Sequence, residues 1–292
     1  MFDLVIMVDW SASNAPGPAR PRKDQIWYAI GTRDRRDPPV YCRTRHDCIE
    51  RLSGILSRHA GSALVGLDFP FGYPLGHDAE PVLPVGRDLC RFFDDRLSDH
   101  ADNRNDRFQV AARLNQDLAA RTGADGPFWG RPHEHTYHGL PPKKPQNPGV
   151  PEWRHVERIA HARGDRPKSV WQMAYNGSVG SQAITGLAGV HRLIAHPDLG
   201  DRCRIWPFET DWDRALLDPD RPDTIVIAEI YPSLVDETTI DHPIKDARQV
   251  AAQRDWALDL GPALREHLAQ RPALTTDQAR ACRDSEGWIL GL

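Results

Sequence analysis

The sequence predicts an α/β protein: a mixed sheet flanked by helices, carrying a long loop-rich insertion. Three observations lead there. Residues 4–9, Leu-Val-Ile-Met-Val-Asp, are a short apolar run closed by an acid. Such a run, apolar on both faces, is the pattern of a central buried strand. Residues 63–68, Ala-Leu-Val-Gly-Leu-Asp, repeat it, and residues 224–230, Thr-Ile-Val-Ile-Ala-Glu-Ile, give a third version with Glu229 near the end. Between these runs lie stretches with apolar residues at helical spacing. The 292 residues are expected to form a single domain with an irregular insertion at about 123–170.

After the first strand, Ser11 to Asn14 and then Pro16-Gly17 turn the chain. Residues 26–30 read as a second strand and 40–42 as a third, an antiparallel meander beside the first. Residues 47–60 read as a helix, with Ile49, Leu52, Ile55 and Leu56 on one face and Asp47 as its cap. Residues 85–122 continue in helical periodicity. Residues 123–170 lose it and become rich in Pro, Gly and His. A loop that long is expected to overhang the carboxyl ends of the strands and wall a cleft. His133, His135 and His138 lie within it, but no fourth ligand at zinc spacing accompanies them, and they read as solvent-facing.

Residues 176–181, Asn-Gly-Ser-Val-Gly-Ser, form a glycine-rich turn before a helix. The start of that helix favours an anion, which makes Asn176 and Ser178 candidate substrate contacts. The Gly-Lys-Ser/Thr of a Walker loop is missing, so close packing is the stronger role for these glycines. Residues 203–208 read as a strand, and 246–270 as a helix broken at Gly261-Pro262, with Lys245 and Arg248 at its start. Thr275 caps a last helix carrying Asp277 and Asp284 on one face and ending with Trp288, Ile289 and Leu290.

Charged residues make up 27 % of the chain and hydrophobic ones 40 %, as in an ordinary folded protein. A net charge of −4 argues against non-specific coating of nucleic acid. No apolar run approaches the roughly 18–20 residues of a membrane span, and residues 1–15 lack the pattern of a signal peptide. The five cysteines are scattered and without CxxC spacing, which fits free thiols in the cytoplasm. The oligomeric state is open.

Acids at the ends of three strands point to one site, because open α/β sheets bind ligands beyond the carboxyl ends of their strands. Crowded carboxylates raise each other's pKa, a conflict that divalent cations remove. On this reading Asp9, Asp68 and Glu229 converge, Asp284 approaches from the last helix, and the four hold Mg²⁺ or Mn²⁺. The alternative is that Asp68 and Asp284 are turn and helix caps and only Asp9 and Glu229 are special.

Val8-Asp9-Trp10, Leu67-Asp68-Phe69-Pro70-Phe71-Gly72, Ala228-Glu229-Ile230-Tyr231-Pro232 and Arg283-Asp284-Ser285-Glu286 resemble the acidic motifs of the RNase H-like superfamily. Their order resembles most the domain-of-unknown-function 429 family of predicted nucleases. The resemblance covers about residues 1–75 and 225–292. It implies an RNase H-like fold and a metal-dependent phosphodiesterase that acts on nucleic acid, with Lys245 or Arg248 at the scissile or a neighbouring phosphate. Asp284-Ser285-Glu286-Gly287 departs from the family's usual Asp-Ala pairs, leaving open whether Asp284, Asp277 or Glu286 completes the site. Trp27, Trp129, Trp153 and Trp171 offer faces to bases, although tryptophans commonly serve as core. Residues 8–13, with Ser11, also resemble the first phosphate loop of actin-like sugar kinases, which implies a phosphotransferase acting on a phosphorylated small molecule. A non-catalytic scaffold on the same fold is the third reading.

Overall fold

The computed structural model describes residues 2–175, 177–210, 212, 221–269 and 274–292. In it the N-terminal apolar run becomes β1 (Leu4–Asp9). β2 (Ile26–Gly31) lies antiparallel to it, and β3 (Val40–Cys42) antiparallel to β2. β4 (Ala63–Leu67) runs parallel on the other side of β1. β5 (Cys203–Ile205), β6 (Ile225–Ile230) and β7 (Ile289–Leu290) complete a seven-stranded mixed sheet. The strand order is β3-β2-β1-β4-β6-β5, with β7 also on β6, consistent with an RNase H-like sheet. β1 is interior, as its two apolar faces require.

Period-2 alternation divides the strands between two cores. Ile6, Val8, Val65, Leu67, Ile225 and Ile227 face one layer of helices. That layer is α1 (Arg45–Arg58), α2 (Gly86–Asp94), α3 (Arg107–Thr122) and, after the insertion, a long glycine-containing helix over residues 180–194. Val5, Met7, Leu64, Val226 and Ala228 face the other layer.

The insertion is irregular over residues 123–154 and then forms α4 (His155–Ala162), which residue periodicity did not reveal. Eight residues offer about two turns of pattern, too few to read, and the first turn is closed by Arg154 and Glu157 rather than by a Ser or Thr cap. The helix at 180–194 is α5 (Gly180–Ile194). The second layer is built on α6 (Lys245–Leu260), which packs on β1 and β2 and ends at Gly261 as expected. α7 (Leu264–Ala269) follows.

Several sequence expectations shift. Thr44, not Asp47, caps α1, its side chain accepting from Asp47 N at 3.1 Å. Residues 95–106 interrupt the helical stretch between α2 and α3, and β5 stops at Ile205. α8 (Thr276–Ala281) has the expected capping box at Thr275, but a π-helical turn, Cys282–Glu286, succeeds it, and Ile289 and Leu290, expected at the end of that helix, instead form β7 against β6. Asp284 lies on that turn, so the seven-residue spacing from Asp277 no longer places both on one helix face. Among the described residues no helix is long and apolar enough to cross a membrane. All five cysteines are free and buried.

Candidate functional site

β1 and β4 pair with Val8 opposite Leu67, so Asp9 and Asp68 follow at the same level on neighbouring strands. They lie at the floor of a cleft of about 820 Å³. Asp68 Oδ1 accepts from Trp10 N at 2.7 Å, which ties the two strand ends together. Trp10 is itself locked: Nε1 donates to Thr185 Oγ1 at 3.1 Å, and its carbonyl accepts from Gln182 Nε2 at 2.6 Å. Both partners belong to α5, whose close approach depends on glycine. A Cβ at Gly186 would come within 2.4 Å of the Phe69 ring, and one at Gly180 within 2.5 Å of Val170 O. Gly180→Ala is therefore expected to lower stability by about 1–3 kcal/mol, a loss that thermal denaturation would register. Of the two glycines in the 176–181 turn, Gly180 has the packing role expected of it, while Gly177 takes a left-handed φ of 74°. Beyond Trp10, the carbonyls of Ser11 and Ser13 accept from Arg45 Nη1 at 3.2 and 2.8 Å. Arg45 is held by Asp99, and both side chains are buried.

The third carboxylate is Asp246, buried in the first turn of α6. Its Oδ2 accepts from Asp24 N, and Asp24 adds a fourth carboxylate at the cleft wall. Desolvation, followed by the charges of Asp68 and Asp246, raises Asp9 well above its ordinary value of 3.8. Desolvation lifts Asp68 to about 8, and Asp246 is raised for the same reason. Among the described residues no Lys, Arg or His forms an ion pair with Asp9, Asp68 or Asp246. Sequence reasoning passed over Asp246 because it lies beside Lys245 at a helix start, where an acid is ordinary. Asp24 gave no signal in the sequence; in the structure it stands before β2 in the left-handed region, φ 61°, which Asp tolerates better than most residues.

Glu229 does not join this group. It pairs in register with Leu67, which faces the opposite core, so the pleat sends its side chain to the other face of the sheet from Asp9. There Arg154 takes it as a bidentate partner, Nη2 to Oε1 at 2.6 Å and Nη1 to Oε2 at 2.8 Å. Oε2 also accepts from Phe71 N at 3.0 Å. Arg154 binds Glu157 in addition, and all three side chains are buried.

Asp284 is exposed and paired with Arg283, and Asp277 is exposed on α8. Glu286 is buried, accepting from Leu75 N through Oε1 and from His155 N and Nδ1 through Oε2. Its neighbour Cys282 lies close enough to make a three-ligand cluster with His155. Both oxygens of Glu286 are already taken by donors, however, and burial raises the thiol.

Lys245, Ser11 and Ser178 line the cleft. Arg248 does not line it; Nη1 donates to His242 O at 3.0 Å, and Nη2 stands 3.7 Å from Glu237. Asn176 lies outside the described residues. Pro132, His133 and Glu134 of the insertion overhang the cleft. His133, His135 and His138 are exposed, with His133 against the ring of Tyr175 and His135 against Tyr137. Trp27 and Trp171 are buried in the cores and offer no face to a ligand. No protein-family model, no curated protein and no solved structure matches the chain.

Proposed function

We propose that the cleft holds one or two divalent cations, Mg²⁺ or Mn²⁺, on Asp9, Asp68 and Asp246, and that it hydrolyses a phosphodiester. The observation that carries this reading is the set of crowded, desolvated carboxylates without a cationic partner. Such a group is costly unless protons or metal ions neutralise it. The hard oxygen donors suit Mg²⁺ or Mn²⁺, and two strands and a helix start hold them rigidly. Glu229 and Asp284 do not fit as ligands, the first being neutralised by Arg154 and the second paired in solvent. Bound there, divalent ions supply Lewis acidity toward phosphoryl oxygens.

The protein's own groups do the rest. Lys245 presents a positive charge to the substrate phosphate from the side of Asp246. Ser11 and Ser178 offer hydroxyls, and Pro132, His133 and Glu134 wall the cleft.

Titration calorimetry of Mn²⁺ tests the reading. The protein is expected to bind Mn²⁺ near neutral pH and to release protons as it does, because burial raises the carboxyls of Asp9 and Asp68 in the metal-free state. Repeating the titration in buffers of different ionisation enthalpy measures that release. A silent titration would leave a non-catalytic scaffold.

Phosphoryl transfer to a small molecule is the second reading, favoured by Ser181 and Gln182 of the first turn of α5 lining the same cleft. Binding of ATP together with Mn²⁺, without hydrolysis of a diester, would select it.

A further inference from the structure

The cleft also carries a cationic group. Arg107, the first residue of α3, lines it. Nε donates to Ser181 Oγ at 2.9 Å and Nη1 to Asn105 Oδ1 at 2.8 Å, while the guanidinium lies over the Phe108 ring, 4.4 Å from its centroid. Ser181 is buried, and its own hydroxyl donates to Met173 O at 2.6 Å, so the cradle is rigid.

All of these partners are neutral. Among the described residues Arg107 has no carboxylate within ion-pair distance, and Nη2 has no hydrogen-bond acceptor. The nearby Asp99 is already shared by Arg45 and Arg192. Desolvation, followed by the like charge of Arg45, lowers the Arg107 pKa to about 10. A desolvated guanidinium, fixed by neutral acceptors and without a counter-ion, is a preorganised fork for an anion. Gly177, Ser178 and Gln182 stand beside it on the same wall.

We propose that Arg107 binds a second phosphate of the substrate whose scissile phosphoryl group is held at the acidic floor. This rests on the function proposed above and narrows it to substrates carrying two phosphates within one cleft. The second phosphate comes either from the next nucleotide of a strand or from a small bisphosphorylated molecule. Tyr175 separates the two sources. Tyr175 is 42 % exposed at the cleft, and its φ of 78° is unusual for a bulky residue. It is placed to stack on a base.

The test is anion binding in EDTA, which keeps divalent ions off the acids so that they cannot draw phosphate to the floor of the cleft. Inorganic pyrophosphate and the dinucleotide pTpT are titrated into the wild type and into Arg107→Gln, Arg107→Lys and Tyr175→Ala. Binding to the wild type, weakened about tenfold or more in Arg107→Gln and partly restored in Arg107→Lys, supports the proposal. Tighter binding of pTpT than of pyrophosphate, lost in Tyr175→Ala, assigns the phosphate to a nucleotide strand. Equal binding of the two probes assigns it to a small molecule.

Equal affinity of the wild type and a folded Arg107→Gln overturns the proposal, as does no binding to the wild type. If Arg107→Gln does not fold, modification of wild-type Arg107 by an arginine-selective dicarbonyl decides. Protection by pyrophosphate supports the site, and its absence overturns it. Failure of the metal reading appears separately, as phosphate binding that persists beside a silent Mn²⁺ titration.

Discussion

Arg154→Leu is expected to cost about 3–5 kcal/mol of folding free energy, because it strands two buried carboxylates without their partner. In thermal melts that is a fall on the order of 10 °C. Glu229 would lose both hydrogen bonds from the guanidinium. Glu157, which desolvation already lifts to about 7 against the pull of Arg154, would lose its counter-ion. The loss would also loosen the turn after Asp68, since Glu229 fixes that turn through Phe71 N.

Glu229→Gln is the milder partner experiment. The amide still accepts from Phe71 N, and Arg154 keeps Glu157. Its Mn²⁺ binding is expected to match that of the wild type. Loss of the Mn²⁺ heat in a folded Glu229→Gln would restore Glu229 as a ligand, the role that the family resemblance implies.

Asp9→Asn is expected to raise the melting midpoint of the metal-free protein and to abolish metal-dependent hydrolysis. The rise amounts to about 2–4 °C for each kcal/mol of repulsion relieved. Its pH dependence has a definite sign. Asp68 titrates at about 8 in the folded chain against an ordinary 3.8, and Asp9 is displaced in the same direction. The folded state therefore holds protons that the unfolded state has released, and stability falls as pH rises from about 4 to about 8. Melts of the metal-free wild type across that window should show the decline, with a shallower slope for Asp9→Asn. Mn²⁺ should raise the wild-type midpoint by mass action. An Mn²⁺-dependent rise of the same size in Asp9→Asn would remove Asp9 from the ligand set.

The site was partly legible in advance because two of its acids follow apolar runs that admit only one reading. Leu4 to Val8 and Ala63 to Leu67 are buried strands by composition, so Asp9 and Asp68 had to be strand-end acids. Asp246 and Arg107 gave no such signal. Each opens a helix, where acids and N-terminal polar residues are common for local reasons, and their chemistry arises from what surrounds them. α4 was hidden by its brevity. Asp284 was misplaced because a π-helical turn breaks the periodicity from which its face was read.

Local pattern by itself determined β1 to β4 and β6, the interior position of β1, the break at Gly261 and the cap at Thr275, since each depends on neighbours within a few residues. Register was decided only in the tertiary structure. A strand's side chains alternate with period two, so one residue of offset between β4 and β6 decides which face an acid occupies. Leu67 pairs with Glu229, and that single pairing sends Glu229 to Arg154 and leaves Asp246, from a helix on the other side, to stand with Asp9 and Asp68. No local pattern encodes such an offset, because packing of the two cores against the helices sets it.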